Sequence, residues 1–155
     1  MKAPDFDLPG VDGKRHGPAS ARGPNGLVVM FICNHCPYVK RSIDRIARDC
    51  RELAAQGVGA IAVMSNDPAE YPEDSFDNMK RVARDKSLPF PYVLDETQDV
   101  ARAYDAVCTP EFFGFDASLG LKYHGRLDEL VQAMTGNPPH KPINSIGCSI
   151  KWKKP

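Results

Sequence analysis

The sequence predicts an α/β protein: a mixed, mostly parallel central sheet with helices on both faces and an N-terminal hairpin. Three observations lead there. Two continuous apolar runs, Leu27 to Ile32 and Val58 to Met64, have strand length and no polar alternation, as strands covered on both faces do. Segments with apolar residues at helical spacing separate the strands, and such alternation favours parallel pairing. Late in the chain, Phe112 to Phe115 and Leu121 to His124 flank Ala117-Ser118-Leu119-Gly120, a hairpin that adds antiparallel strands. The predicted order is β-α-β-α-β-α-β-β-α.

The chain has 155 residues, enough for one domain with a real core. Its 20 basic and 20 acidic residues cancel, which argues against nucleic acid or an anionic membrane surface as partner. No apolar run is long enough to span a bilayer. Met1-Lys2-Ala3-Pro4-Asp5 has no apolar signal core, so a cytoplasmic location is expected. The five cysteines cannot form a fully paired framework and suit a reducing compartment. Residues 1–134 read as one domain and 135–155 as a Pro-rich C-terminal tail with the capacity to pack back on it.

In order, Phe6-Asp7-Leu8 and Lys14-Arg15-His16 flank the turn Pro9-Gly10-Val11-Asp12-Gly13 and read as a small hairpin. After Leu27 to Ile32, a long helix is expected to about Gln56, stopped by Gly57. Val39, Ile43, Ile46, Ala47, Cys50 and Leu53 form its apolar stripe. Cys36 extends that stripe and Cys33 lies before it. A second helix is predicted over Ser75 to Lys86, with Phe76, Met79, Val82 and Ala83 inward. A short strand, Tyr92-Val93-Leu94, follows Pro89 and Pro91. Asp95-Glu96-Thr97-Gln98 has capping-box spacing and is expected to start a helix burying Val100, Ala101 and Tyr104. Leu127 to Met134 reads as a last short helix.

The chemistry concentrates in Cys33-Asn34-His35-Cys36-Pro37, between a strand and a helix. Two cysteines at this spacing reach each other across one turn, and a nearby helix N-terminus stabilises a thiolate. The stretch reads as a dithiol/disulfide site at the carboxyl end of a strand. Half a zinc site is the alternative, but Cys50, Cys108 and Cys148 form no second pair at metal spacing, so no metal or cofactor is expected. His35 is a candidate thiolate partner, against the plainer reading of an exposed loop histidine. Cys33 is expected to be the nucleophile with the lower pKa, because Cys36 continues the buried stripe. Pro37 cuts the other way: it disfavours helical geometry at Cys36 and could start the helix itself, leaving Cys36 nearest the dipole. Thr109–Pro110 enters a strand and is open to a cis bond that would turn the Thr109 backbone towards substrate, with trans the ordinary alternative.

The remaining candidates are weaker. Cys50 reads as inert core. Ser65, Asn66 and Asp67 read equally as site lining or loop cap. His124 and Arg126 are expected to be structural, and Lys151, Lys153 and Lys154 a solvated end. Cys108 and Cys148 are candidate auxiliary thiols. A plain flexible terminus is the first reading of the tail; against it, Ile146, Ile150 and Trp152 are apolar groups that a solvated tail does not need, and a tail that folds back is the competing reading. Trp152 would then dock, and Cys148 would exchange with a thiol, Cys108 being the expected partner.

Ala3-Pro4-Asp5-Phe6, the apolar run into Cys33-Asn34-His35-Cys36-Pro37-Tyr38-Val39, Asp95-Glu96-Thr97-Gln98, Cys108-Thr109-Pro110 and Gly147-Cys148-Ser149-Ile150-Lys151-Trp152-Lys153 together resemble the AhpC/TSA superfamily, in its peroxiredoxin-like branch of thioredoxin family proteins. The resemblance implies a thioredoxin-like three-layer sandwich, a thiol–disulfide oxidoreductase role and a cis Pro110. Three departures stand out. Leu27 to Ile32 contains no Asp where thioredoxin buries one, Ile32 replaces the usual Trp, and Met30 stands where peroxiredoxins carry a hydroxyl.

The leading expectation is therefore disulfide exchange through Cys33 and Cys36 on a protein or small-molecule thiol or disulfide, with a separate reductant, by a monomer or homodimer. A thiol peroxidase with Cys33 as peroxidatic cysteine is the alternative. A metal carrier using Cys33, His35 and Cys36 comes third.

Overall fold

The turn at residues 10–13 closes an antiparallel hairpin, β1 (Leu8–Pro9) with β2 (Arg15–His16), in the register Leu8↔His16. In this computed structural model the described residues are 1–142 and 147–153; Ile146 and Lys154 lie outside them. A four-residue helix, α1 (Pro18–Ala21), follows and has no counterpart in the sequence reading. Then come β3 (Gly26–Phe31), α2 (Pro37–Ala55), β4 (Val58–Met64), α3 (Phe76–Asp85), β5 (Tyr92–Leu94) and α4 (Asp99–Ala103). The chain continues as β6 (Cys108–Thr109), β7 (Glu111–Phe115), β8 (Leu121–Gly125), α5 (Leu130–Thr135) and β9 (Cys148–Ser149).

The main sheet has the order β5-β4-β3-β7-β8. The first three strands are parallel, and β7 runs antiparallel to β3, as β8 does to β7. Every residue of β3 is buried, which explains its unbroken apolar run. Its side chains alternate between two cores. Val28 and Met30 pack with Ile43 and Ile46 of α2, Met79 of α3 and Leu130 of α5. Leu27, Val29 and Phe31 pack with Val100 and Ala101 of α4, Tyr104 and Ile150. These are the three layers of a thioredoxin fold, with the carboxyl end of β3 opening into the cysteine turn.

Three local differences from the sequence reading have identifiable causes. The second long helix begins at Phe76, because Ser75 is its N-cap and accepts from the Asn78 N–H. The capping-box spacing at 95–98 does not start a helix: Gln98 adopts a left-handed backbone (φ 68°) and α4 begins at Asp99. Asp95 still caps it, from across the turn, by accepting from the N–H groups of Val100 and Ala101. The last helix is split into a 3-10 turn at Leu127–Glu129 and α5.

Candidate active site

Pro37 decides the geometry of the cysteine turn. It occupies the first helical position of α2, and Cys36 is the N-cap with an extended backbone (φ −61°, ψ 123°). The side chain of Cys36 therefore sits where the first N–H groups of α2 converge. Its thiol is held well below the ordinary value of 9.0: the Cys33 thiol donates to it, burial opposes, and the Cys148 thiol and the N–H groups of Val39 and Tyr38 add to the lowering. Cys33 moves the opposite way, raised by its hydrogen bond to Cys36 and by burial. The N-cap position and the direction of both shifts favour the thiolate on Cys36, the alternative that Pro37 raises in the sequence. Cys36 is fully buried and Cys33 2% exposed, so the stripe does place Cys36 deeper, while Pro37 sets the helix dipole nearest Cys36.

Cys33 nevertheless has the access. It lines a cleft of about 350 Å³ between α2 and α3, with Val39, Lys40, Ile43, Val82 and Lys86. On its other side the Thr109 hydroxyl lies 3.4 Å from the Cys33 sulfur. The Thr109–Pro110 bond is cis, and the Thr109 carbonyl lies 3.5 Å from the Cys36 sulfur, where it accepts a hydrogen bond when that thiol is protonated. Thr109 thus touches both cysteines.

Beneath the turn is a buried acid that the sequence reading did not identify. Asp74 closes the 3-10 turn Pro72–Asp74 and is fully buried. One carboxylate oxygen accepts from the N–H groups of Asn34 and His35, at 2.8 and 3.0 Å. The other lies 2.5 Å from His35 Nδ1 and accepts from the Asn66 amide at 3.2 Å. The His35 ring stacks on Tyr71 at 3.8 Å. Asn34 accepts from the Tyr92 hydroxyl and donates to the Glu73 carbonyl, so both residues between the cysteines are clamped. The sequence signal for Asp74 was faint: an acid in Pro72-Glu73-Asp74-Ser75 after a strand end, with no periodicity around it.

The other candidates divide. Asn66 lines the site and also accepts from the Lys151 N–H, whereas Ser65 donates to Asp95 and Asp67 caps its own loop through the Ala69 N–H. His124 stacks on Phe113 and pairs with Glu111 at 2.5 Å, and the other oxygen of Glu111 meets Cys108. Cys50 is buried core. Two groups of described residues bring metal-ligating atoms within 4.8 Å of one another: Cys33, His35 and Asp74, and Asp49, Glu52 and His140. In the first, Asp74 is already engaged by His35, Asn66 and two N–H groups; in the second, Arg45 and Arg48 flank Asp49. Both are coherent as ion-pair networks.

Of the far end of the tail, the described residues 147–153 lie against the domain. β9 pairs antiparallel with β6, placing Cys148 opposite Thr109 and Ser149 opposite Cys108. Ile150 is buried, and its N–H donates to the Val107 carbonyl. Gln98 donates to the Lys151 carbonyl and accepts from the Lys153 N–H. Trp152 is 40% exposed, with the Arg102 guanidinium 5.2 Å from its ring centre. The expected thiol pairing is corrected: Cys148 lies 2.9 Å, sulfur to sulfur, from Cys36, while Cys108 turns to Glu111 at 3.7 Å. Neighbouring strand residues face opposite sides, so the register that puts Cys148 opposite Thr109 turns it away from Cys108.

Fold and site together define a thioredoxin-like protein with a C-x-x-C turn at the head of a long helix. The AhpC/TSA family model matches residues 1–124, and the chain belongs to that family. It is similar to an uncharacterized conserved protein from Geobacillus kaustophilus, at 42% identity over 99% of this chain and 91% of that one, with a TM-score of 0.87. A hypothetical protein from Sinorhizobium meliloti 1021 is 31% identical over 99% of this chain and 93% of that one, with a TM-score of 0.86. A thiol:disulfide interchange protein of the thioredoxin family from Chlorobium tepidum TLS shares the fold, at 22% identity over 80% and 83% of the two chains and a TM-score of 0.66. Among curated proteins, none matches this sequence.

Proposed function

We propose that the protein is a thiol–disulfide oxidoreductase working through Cys33 and Cys36 in a reducing, cytoplasmic setting. The observation that carries this reading is the geometry of the turn: Cys36 is the N-cap of α2, Cys33 lines the cleft, and Thr109 beside the cis Pro110 touches both sulfurs. Cys33 gives its proton to Cys36 and attacks a substrate disulfide, and one substrate sulfur leaves as thiolate. Cys36 then gives up the proton, attacks the Cys33 sulfur and closes the intramolecular disulfide, and the second substrate sulfur leaves with the proton. Run backwards, the same steps oxidise a substrate dithiol. The apolar wall of Val39, Ile43 and Val82, with Lys40, Asp85 and Lys86 supplying charges of both signs, suits a disulfide carried on a peptide.

The test is trapping. Cys36→Ser should accumulate a mixed disulfide on Cys33 with a small-molecule disulfide, and turnover should fall by about a hundredfold or more in either Cys33→Ser or Cys36→Ser. Turnover that survives in Cys33→Ser would sink the assignment. Hydrogen peroxide is expected to oxidise the protein slowly: Met30 is fully buried in β3 and offers no hydroxyl to orient the peroxide.

A further inference from the structure

We propose that Cys148 is a third redox thiol of this site, exchanging with Cys36 so that the disulfide moves from Cys33–Cys36 to Cys36–Cys148. The proposal rests on the dithiol reading above and extends it to the tail.

The placement of Cys148 is built by the fold. Its sulfur is 2.9 Å from that of Cys36, while a disulfide bond is about 2.05 Å. The strand carrying it is fixed on both sides of the sulfur. The β6–β9 register sets its height along Thr109, and the buried Ile150, the Gln98 side chain and Asn66 hold the residues that follow. Before it, Gly147 passes so close that a Cβ there would meet the Thr109 carbonyl oxygen at 2.8 Å and the Cys108 sulfur at 3.0 Å. A tail serving only to cover the sheet would need neither this approach nor a thiol at its end. Asn66 also joins the two halves physically, donating to Asp74 below the active turn and accepting from Lys151 in the tail.

Exposure gives the arrangement a direction. Cys33 and Cys36 are 2% and 0% exposed, whereas Cys148 is partly exposed. A small or extended substrate reaches Cys33 through the cleft; a bulky protein dithiol is better served by a sulfur nearer the surface. The Cys148 and Cys36 sulfurs share a hydrogen bond at 2.9 Å, and burial and that bond raise the Cys148 thiol to about 11. Once Cys36 is tied up in a disulfide it carries no negative charge, and Cys148 can ionise.

The step balances without an external oxidant. With Cys33–Cys36 oxidised by substrate, Cys148 loses its proton and attacks the Cys36 sulfur. The Cys36–Cys148 bond forms and the Cys33–Cys36 bond breaks. Cys33 leaves as thiolate and recovers a proton, free to meet the cleft again. A dithiol reductant then attacks Cys148. It forms a mixed disulfide there, releases Cys36, and closes its own disulfide to restore the Cys148 thiol.

The experiment uses the full chain, reduced and then oxidised with oxidised glutathione, acid-quenched, alkylated and mapped by mass spectrometry without reduction. Wild type should yield both Cys33–Cys36 and Cys36–Cys148 linked peptides. Cys33→Ser should yield chiefly Cys36–Cys148, and Cys148→Ser only Cys33–Cys36. With thioredoxin as reductant, re-reduction of Cys148→Ser should slow by at least about tenfold, while reduction by dithiothreitol changes less. Cys33–Cys36 found without any Cys36–Cys148 peptide in wild type or Cys33→Ser would overturn the relay and leave the dithiol reading standing. Cys148 linked to Cys108 instead would also overturn the relay. Absence of both linkages would overturn the two readings together.

Discussion

Asp74 carries a carboxylate with no exposed surface, engaged by the N–H groups of Asn34 and His35, the His35 ring and the Asn66 amide. Buried charge survives only with such a full set of partners. Asp74→Asn keeps the shape but removes the charge, and hydrogen bonds to charged groups are worth about 1.5–3 kcal/mol. Urea unfolding should show a loss of about that size, and disulfide exchange should slow because the turn no longer holds His35 in place. Unchanged stability would mean that the turn is held by Asn34 and Tyr92 alone. At this scale the sequence is legible where spacing carries the chemistry. Cys33 and Cys36 announce themselves, and Pro37 correctly signals the helix start. Asp74 does not, because its partners come from a distant turn and only the folded chain brings them together.

Among the elements, the tail shows most clearly what local pattern can and cannot say. Its apolar residues signal docking, but the edge they dock on is two residues of strand, Cys108–Thr109, too short to leave any alternation in the sequence. For the same reason the pairing of Cys148 with Cys36 was hidden: a register is a long-range property. α4 makes a similar point, since Asp95 caps it by a route that capping-box spacing does not describe. Ile150→Ala removes the buried anchor of β9, and a truncation of this kind costs about 2–5 kcal/mol in a packed site. The chain's single tryptophan, Trp152, reports the result. Its emission should shift to the red and quench more readily with acrylamide, while far-ultraviolet circular dichroism stays the same. A wild-type Trp152 already as quenchable as the variant's would show that the tail is undocked in solution.

Across the whole molecule, the opposed cysteines give the reduced protein a pH signature. In the unfolded chain both thiols titrate near 9.0. In the folded protein Cys36 loses its proton below that value, so its contribution to stability is present above 9.0 and declines as pH falls towards the folded value. Cys33 keeps its proton above 9.0, so its contribution is present below 9.0 and is lost as pH rises further. The pair therefore stabilises the reduced state most near 9.0. Thermal melts should show the reduced-minus-oxidised difference peaking there, and a difference that does not vary with pH would contradict the titration order. The alternation of strands and helices and the layers were readable beforehand, because burial of β3 and β4 inside the sheet writes itself as unbroken apolar runs; the strand order in space was not, being a long-range property, and α1 was not, being too short for a period to show.

One cysteine stands apart from all of this chemistry. Cys50 is 4% exposed on the inner face of α2, and burial drives its thiol far above the ordinary range. It therefore works as a clock. A thiol reagent can reach it only when the helix lifts from the sheet, so its labelling rate measures how often the native protein opens. In the folded protein Cys50 should react more slowly than Cys108 by about a thousandfold or more, and the gap should close as urea approaches the unfolding midpoint. Counting mass shifts over time would then yield the opening free energy from a residue the chain already carries.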